Sequence, residues 1–223
     1  MYQLMCQKAW KEKKMKKQNN SKSGKIGVGG IITLAIVGIL ALSFVGTYNG
    51  LQRQDEGVTG AWKQVENQLK RRYDMIPQLV SVVKGYASHE KDTLTAVVEA
   101  RSKVSNIKVT PEMLSDPAMM KKFTQAQAGL SGALSKLMVV VEKYPDLKAN
   151  ESFMGLQDEI AGTENRLATE RKRYNDKVEG FNARIRTLWS NFVAGIAGLE
   201  KRVYFELDEG ELEAVKQAPT IEF

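Results

Sequence analysis

The chain has 223 residues and a formal net charge of +7, from 33 lysines and arginines against 26 aspartates and glutamates. Residues 1–25 contain eight lysines and one glutamate, so residues 26–223 hold 25 basic and 25 acidic side chains and are neutral. A neutral body argues against nucleic-acid binding, which needs a basic surface. The charge of the chain therefore belongs to a short N-terminal tail, 1–25.

An uncharged apolar run, 26–47, follows the basic tail directly. A helix of this length is about 33 Å long, which is enough to cross a hydrocarbon core of about 30 Å. We therefore predict a single-pass transmembrane helix in contact with the lipid bilayer. Lysines that flank a span remain on the cytoplasmic side. This rule predicts a cytoplasmic N-terminus and an extracytoplasmic body.

Two alternatives concern the N-terminal end. Ala41-Leu42-Ser43 resembles a signal-peptidase site, but the apolar run is long for a signal peptide and continues beyond it, so we expect an uncleaved anchor. Translation from Met15 would leave four of the eight lysines and the same orientation. Cys6 is the only cysteine, which excludes an intrachain disulfide and a cysteine-based metal site.

Residues 48–205 form the predicted body, in which apolar side chains recur every three or four residues, as in amphipathic helices. The first apolar stripe runs from Val58 to Ala87 and predicts a helix that continues from the span. Proline lacks a backbone N–H and clashes with the preceding turn. We therefore expect a kink or a restart of this helix near Asp74 and Pro77.

Further along the body, a shorter helix is predicted over 94–104. Thr110-Pro111 and Asp116-Pro117 each combine an N-cap residue with proline at the first helical position, so each pair predicts a helix start. The second start leads into a stripe that runs to Tyr144, where Pro145 is expected to end the helix.

The last predicted helix has an apolar stripe from Phe153 to Phe192, about 60 Å long, with Asn150 as its N-cap. The pattern as a whole predicts an all-α fold: an elongated antiparallel bundle of three or four helices with coiled-coil-like seams. Four large aromatic residues are expected in its core: Trp62, Tyr73, Tyr174 and Trp189.

The acidic C-terminal tail, 206–223, ends in apolar residues. A solvated terminus is the simple expectation. The alternative is that Ile221 and Phe223 dock on the bundle or on a partner.

Few residues could support catalysis. His89 is the only histidine, so a zinc site with several histidine ligands is impossible, and no nucleophile-elbow or phosphate-binding loop pattern is present. His89-Glu90 resembles a base with its orienting acid, but an exposed histidine near a helix end is the simpler interpretation. We expect no enzyme activity, catalytic residue, metal, cofactor or small-molecule substrate.

Charged residues within the apolar stripes suggest cross-helix pairing, because an unpaired buried charge costs several kcal/mol. We expect Arg171 or Arg166 to pair with Asp74 or Glu66; the alternative is an Arg171 that extends to solvent at the seam edge. The positions considered for structural or partner contacts are Arg71, Arg72, Tyr73, Asp74, Glu164, Arg166, Arg171 and Tyr174. Gly46 and Gly50 form a small-xxx-small pair that would permit close helix approach in the membrane.

Two long blocks resemble the LemA family of bacterial membrane proteins. They are QLKRRYDMIPQLVSVVKGYASHE (Gln68–Glu90) and KYPDLKANESFMGLQDEIAGTENRLATERKRYN (Lys143–Asn175). Tyr48-Asn49 and Tyr204-Phe205-Glu206 also fit, so the resemblance covers about residues 40–223. Where family members often have Phe-Pro, this chain has Leu188-Trp189, and we expect the last helix to continue through that point.

The resemblance implies an anchored helical bundle in a bacterial plasma membrane, with no established catalysis and no agreed functional residues. The family is often described with its N-terminus outside, whereas the lysines here predict the reverse. We expect a non-enzymatic scaffold that self-assembles or presents the bundle to envelope partners. The alternative is an adaptor that regulates a neighbouring membrane protease or sensor kinase.

Overall fold

A computed structural model describes residues 27–206. The lysine-rich tail and the acidic C-terminal tail, with the predicted docking residues Ile221 and Phe223, lie outside this range. The described chain divides between Gly46 and Thr47 into an anchor segment, 27–46, and a body, 47–206. Its helices are α1 (Val28–Tyr86), α2 (Lys91–Ser105), a 3-10 helix (Pro111–Leu114), α3 (Pro117–Val141), α4 (Pro145–Lys148), α5 (Glu151–Ile185) and α6 (Leu188–Ala197).

The anchor segment is the N-terminal part of α1. It contains most of an 18-residue stretch with a mean hydropathy of 2.5, and none of that stretch is buried. By length and composition, α1 is the one helix in the described chain that could cross a membrane, as the sequence predicted.

In the body, the long helices pack as an antiparallel bundle. Arg184 of α5 lies against Gly50 of α1, and Glu164 of α5 lies against Arg72, so residue numbers fall along α5 as they rise along α1. Helix α3 runs in the same direction as α1, because Phe123 contacts Trp62 and Ser131 contacts Arg72. No strand occurs among residues 27–206, and the predicted all-α bundle is confirmed.

The core of the body is a continuous apolar cluster to which five helices contribute, α1 to α5. Fully or almost fully buried members include Ile76, Leu79 and Val83 of α1, Val97 of α2, Leu130 and Leu137 of α3, and Phe153 of α5. Burying side chains of this size contributes roughly 1.5–3 kcal/mol each, so the cluster supplies much of the driving force for helix packing.

Two of the predicted helix starts are confirmed by their caps. Asp116 accepts hydrogen bonds from the amides of Ala118 (2.8 Å) and Met119 (3.2 Å), and Asn150 accepts one from Phe153 (3.0 Å). The Thr110-Pro111 pair begins only the single-turn 3-10 helix, and Thr110 makes no cap bond.

Of the kink or restart expected near Asp74 and Pro77, the restart is wrong, because α1 continues through this residue, and the kink stays a prediction. Proline deprives the carbonyl four residues earlier, that of Tyr73, of its helical donor. The Nε atom of Arg101, on α2, donates to this carbonyl at 3.1 Å. A side chain from a neighbouring helix therefore replaces the hydrogen bond that Pro77 removes.

The last helix is shorter than predicted. Helix α5 ends at Ile185, the chain turns at residues 186–187, and α6 begins at Leu188. Thr187 has an extended backbone (φ −74°, ψ 141°) and its hydroxyl donates to the carbonyl of Arg184, which ends the helical ladder. The expectation of a helix that continues through Leu188-Trp189 is therefore wrong.

Because of this turn, not all of the aromatic residues predicted for the core are buried. Trp62 and Tyr174 are buried, Tyr73 is half-buried, and Trp189 is exposed together with Phe192. The core prediction is thus correct for the first two and wrong for Trp189, because the apolar stripe changes phase at the end of α5.

We predict that Arg101→Leu lowers the free energy of unfolding by about 1–2 kcal/mol, because the carbonyl of Tyr73 loses its donor. In a Pro77→Ala background the helix supplies its own N–H, so the same substitution should cost much less. Urea unfolding of the detergent-solubilised protein, followed by circular dichroism, measures both. Lys103→Leu, on the exposed face of α2, is the matched control, and equal losses in the two backgrounds would contradict the interpretation.

Candidate site: a polar network and a C-terminal strap on the bundle

A buried arginine stands where the three long helices meet. The side chain of Arg72 is 2% exposed, and its Nε lies 2.9 Å from Oε1 of Glu164 on α5. A terminal guanidinium nitrogen donates to the hydroxyl of Ser131 on α3 at 2.7 Å. The Nε–H is not aligned for a hydrogen bond to the carboxylate, so the attraction there is mainly coulombic. Three helices are therefore joined through one cation.

The preceding residue makes a similar pair in a different environment. Arg71 binds Glu159 of α5 through two nitrogens at 2.9 and 3.1 Å, but the two side chains are 54% and 42% exposed. Water screens such a pair, so its contribution is typically below about 1 kcal/mol. The sequence singled out both arginines, and the structure shows that only Arg72 has lost its hydration.

Tyr73 extends the network towards α3, where its hydroxyl accepts a hydrogen bond from the amide of Gln127. Burial raises the pKa of Tyr73 to about 12, since the phenolate would be poorly solvated there. The side-chain oxygen of Gln127 is buried and has no hydrogen-bond partner.

A cluster of four aromatic rings lies next to this network. Trp62 contacts Phe123, Tyr174 and Phe205 edge to face, with centroids 5.1–5.9 Å apart. Aromatic pairs in this geometry add about 0.5–1.5 kcal/mol beyond their area burial. The guanidinium of Arg171 lies 5.8 Å from the centroid of Phe205, within the range of a cation–π contact.

Phe205 belongs to an extended segment, 199–206, which we call the strap. Asn175 of α5 both donates to the carbonyl and accepts from the amide of Phe205, at 3.1 and 2.9 Å. Asn182 makes the same two bonds with the backbone of Arg202, at 2.8 and 2.9 Å. Two asparagine side chains thus make the backbone hydrogen bonds with the strap that a neighbouring strand would make. The hydroxyl of Tyr174 donates to Val203, and burial raises the pKa of this tyrosine.

The strap also binds the N-terminal part of the body. Arg202 forms a bidentate ion pair with Asp55 of α1, at 2.7 and 2.9 Å, and donates to the hydroxyl of Ser115. Both charged side chains are largely buried, at 15% and 17% exposure. Fork-to-fork geometry of this kind is the strongest form of arginine–carboxylate pairing.

The predicted pairing of Arg171 or Arg166 with Asp74 or Glu66 is wrong. Among residues 27–206, no ion pair joins them. Glu66 pairs with Lys63 and accepts from the indole of Trp62, Arg171 faces Phe205, and Asp74 and Arg166 are exposed. Glu164 does pair across the bundle, but with Arg72.

The two glycines proposed for helix approach differ in their surroundings. A side chain at Gly50 would lie 2.6 Å from a guanidinium nitrogen of Arg184, whereas nothing lies within 4 Å of a Cβ at Gly46. The guanidinium is the far end of an exposed, flexible side chain, so a side chain at position 50 would displace it without disturbing the backbone. Close packing between membrane helices stays a prediction.

The residues that sequence reasoning missed are all polar: Asp55, Ser115, Gln127, Ser131, Glu159, Asn175, Asn182 and Arg202. The spacing of Asn175 and Asn182, seven residues apart and each next to a buried aromatic residue, was the one available signal. Amides at such positions are also ordinary on a solvent-exposed helix face.

Cavities adjoin both parts of the site. Spaces of about 120 and 440 Å³ lie on the two sides of the Arg72–Glu164 pair, and one of about 540 Å³ lies beside the strap. In the described part of the chain, no group of three or more histidine, cysteine or acidic side chains could hold a metal ion. His89 is exposed in the turn between α1 and α2, and the carboxylate of Glu90 accepts from the hydroxyl of Tyr144.

The sequence of this chain is similar to those of several known proteins. The model of the LemA family matches residues 61–223. Protein LemA from Metamycoplasma hominis is 30% identical over 175 residues, which cover 78% of this chain and 76% of that protein. Magnetosome protein MamQ 2 from Paramagnetospirillum magneticum is 27% identical over 205 residues, 82% of this chain and 75% of that protein. Magnetosome protein MamQ from Magnetospirillum gryphiswaldense is 24% identical over 203 residues.

We predict that Glu164→Gln lowers the free energy of unfolding by about 2 kcal/mol, because it leaves the charge of Arg72 buried without its counter-charge. Glu159→Gln, which removes the exposed neighbouring pair, should cost less than about 1 kcal/mol. Urea unfolding of both variants provides the comparison. Equal losses of unfolding free energy would show that the burial of Arg72 does not make its ion pair more important for stability.

We also predict that stability falls between pH 10 and 12, and that Tyr73→Phe makes this fall less steep. The unfolded state releases the phenolic proton near pH 10, whereas Tyr73 in the folded state keeps it until about pH 12, so rising pH favours unfolding in this window. Unfolding free energies measured at half-unit pH intervals test this. Between pH 7 and 9 the free energies of unfolding of the two proteins should change with pH in parallel. Parallel curves above pH 10 as well would contradict the raised pKa of Tyr73.

Proposed function

The chain belongs to the LemA family, and from this premise we propose that it is a membrane-anchored, non-enzymatic scaffold that presents its helical bundle to proteins of the cell envelope. Self-association of anchored copies is one form of this role. The relatives named as magnetosome proteins are consistent with a membrane-associated role.

The exposed apolar stretch in the anchor segment carries the proposal. Eighteen residues with a mean hydropathy of 2.5 and no burial against the protein would expose a large apolar surface to water. Each buried methylene gains about 0.8 kcal/mol on leaving water, so insertion into a bilayer is strongly favoured. The lysines of residues 1–25 favour a cytoplasmic N-terminus, with the body on the other side.

The contacts of the body support a structural role. Arg72 and Arg202 bind acidic side chains on other segments, and the half-buried Tyr73 is hydrogen-bonded to a neighbouring helix. Polar groups used in this way fix the register of helices and the path of the strap. The result is a rigid surface, which is what a scaffold has to present.

Crosslinking of intact spheroplasts tests both the role and the orientation. We expect a membrane-impermeant amine crosslinker to capture the body through exposed lysines such as Lys91 and Lys122, and to leave Lys22 of the tail unmodified. Sizing and mass spectrometry of the products then identify the partner.

Multiples of this chain would support self-association, and a stoichiometric second protein would support presentation to a partner. Monomer alone, at native abundance and with the body modified, would contradict the scaffold. Modification of Lys22 and not of the body would reverse the orientation. A permeant crosslinker of the same length controls for lysine reactivity.

A further inference from the structure

Helix α6 exposes its largest apolar side chains and buries its smallest ones. The residues that face the bundle are Ser190, Val193 and Ala194. The residues that face solvent are Leu188 (94% exposed), Trp189, Phe192 and Ile196, which we call the α6 apolar face. This is the reverse of a helix whose apolar side completes a core.

The four side chains of this face form one patch. At 100° per residue they occupy an arc of about 100° on the helix. The rings of Trp189 and Phe192 stack with centroids 5.9 Å apart. An apolar surface of this kind, presented by one helix, marks an interaction site.

Both ends of α6 are defined by the backbone. Thr187 precedes the helix with an extended conformation and no side-chain cap bond, and Gly198 follows it with φ +67°. The amides of Gly198 and Leu199 donate to the carbonyls of Gly195 and Ala194, which is the Schellman arrangement. The exposed face is therefore a fixed part of the body and not the result of a frayed helix.

The segments on either side of α6 contact the first residues of the body. Arg184, before α6, lies against Gly50, and Arg202, after α6, binds Asp55. Gly50 is four positions after Gly46, the end of the anchor segment, so the chain between them can span at most about 14 Å. Chain length alone therefore keeps this end of the body close to a bilayer that holds the anchor.

Charge around α6 suits a lipid surface. The helix itself contains no charged residue, and the segment 184–201 contains three basic side chains and one acidic side chain, since Arg202 is already paired with Asp55. Apolar helices with tryptophan and flanking basic residues lie in the interface of membranes with anionic lipids. A protein partner or a second copy of the chain would not need this location.

We propose that the α6 apolar face inserts into the interfacial layer of the bilayer next to the anchor. It is a second membrane contact, separate from the transmembrane helix, and goes beyond the scaffold role proposed above. A second contact would add to the membrane affinity that the transmembrane helix provides.

An environment-sensitive nitrobenzoxadiazole probe on single cysteines tests this in full-length Cys6→Ser protein, reconstituted in vesicles of phosphatidylethanolamine and phosphatidylglycerol. Ile196→Cys reports on the face. Val139→Cys, on α3, is the matched control, because the two side chains are similarly exposed (62% and 67%). Val37→Cys reports on the anchor. Lipids brominated near the headgroup end of their chains should quench the probe at position 196 at least threefold more than at 139.

A second variant checks that the contact depends on the face. Leu188→Ser with Phe192→Ser should reduce the quenching at position 196 towards the control value, while thermal unfolding is unchanged because both side chains are exposed. Unchanged quenching would contradict insertion.

The remaining outcomes distinguish a failure of this inference from a failure of the proposed transmembrane anchor. Quenching at 37 but equally weak quenching at 196 and 139 would overturn the inference alone. A disulfide between Ile196→Cys residues of two copies, without quenching, would assign the face to a dimer and overturn it as well. No quenching at 37 would overturn the anchor, and the inference with it.

Discussion

Arg72 is the most deeply buried cation among residues 27–206, and it contacts both of the other long helices of the bundle. Moving a charged group out of water costs several kcal/mol unless counter-charge and hydrogen bonds replace its hydration. Glu164 supplies the charge from α5, and Ser131 supplies a hydrogen-bond acceptor from α3. A slip of either helix by one turn, about 5.4 Å, would leave the guanidinium unpaired. The cost of that unpaired charge adds to the packing that such a slip would disrupt, so the ion pair disfavours a shifted register.

The helices themselves could be predicted because their signals are local. Stripes with steps of three and four residues, together with the capping side chains of Asp116 and Asn150, require no knowledge of the rest of the fold. The apolar face of α1 was predicted correctly, since Val58, Trp62 and Leu69 are all buried. What the stripe does not show is that Arg72 is enclosed as well, because a charged residue is a rare occupant of a core. Whether a charge is enclosed depends on which side chains the other helices bring near it.

Cross-helix partners could not be predicted for this reason. Arg171 was expected to find an acidic residue, and it lies over the ring of Phe205, which reaches the bundle from the strap 34 positions later in the chain. Asn175 and Asn182 bind strap backbone at a distance of 20–30 residues. No local pattern encodes such contacts. Pro77 illustrates the same limit, because the break that its own chemistry predicts is prevented by Arg101 from another helix.

The two ends of the body are held together by different kinds of contact. The bidentate Arg202–Asp55 pair joins the C-terminal segment to α1 only eight residues after the body begins, and Arg184 of α5 lies nearby, against Gly50. The core cluster around Leu79 and Val83 lies further along α1 and consists of apolar side chains. Apolar packing is nondirectional, whereas a bidentate ion pair requires one geometry, so the strap position is defined more narrowly than apolar contacts alone would define it.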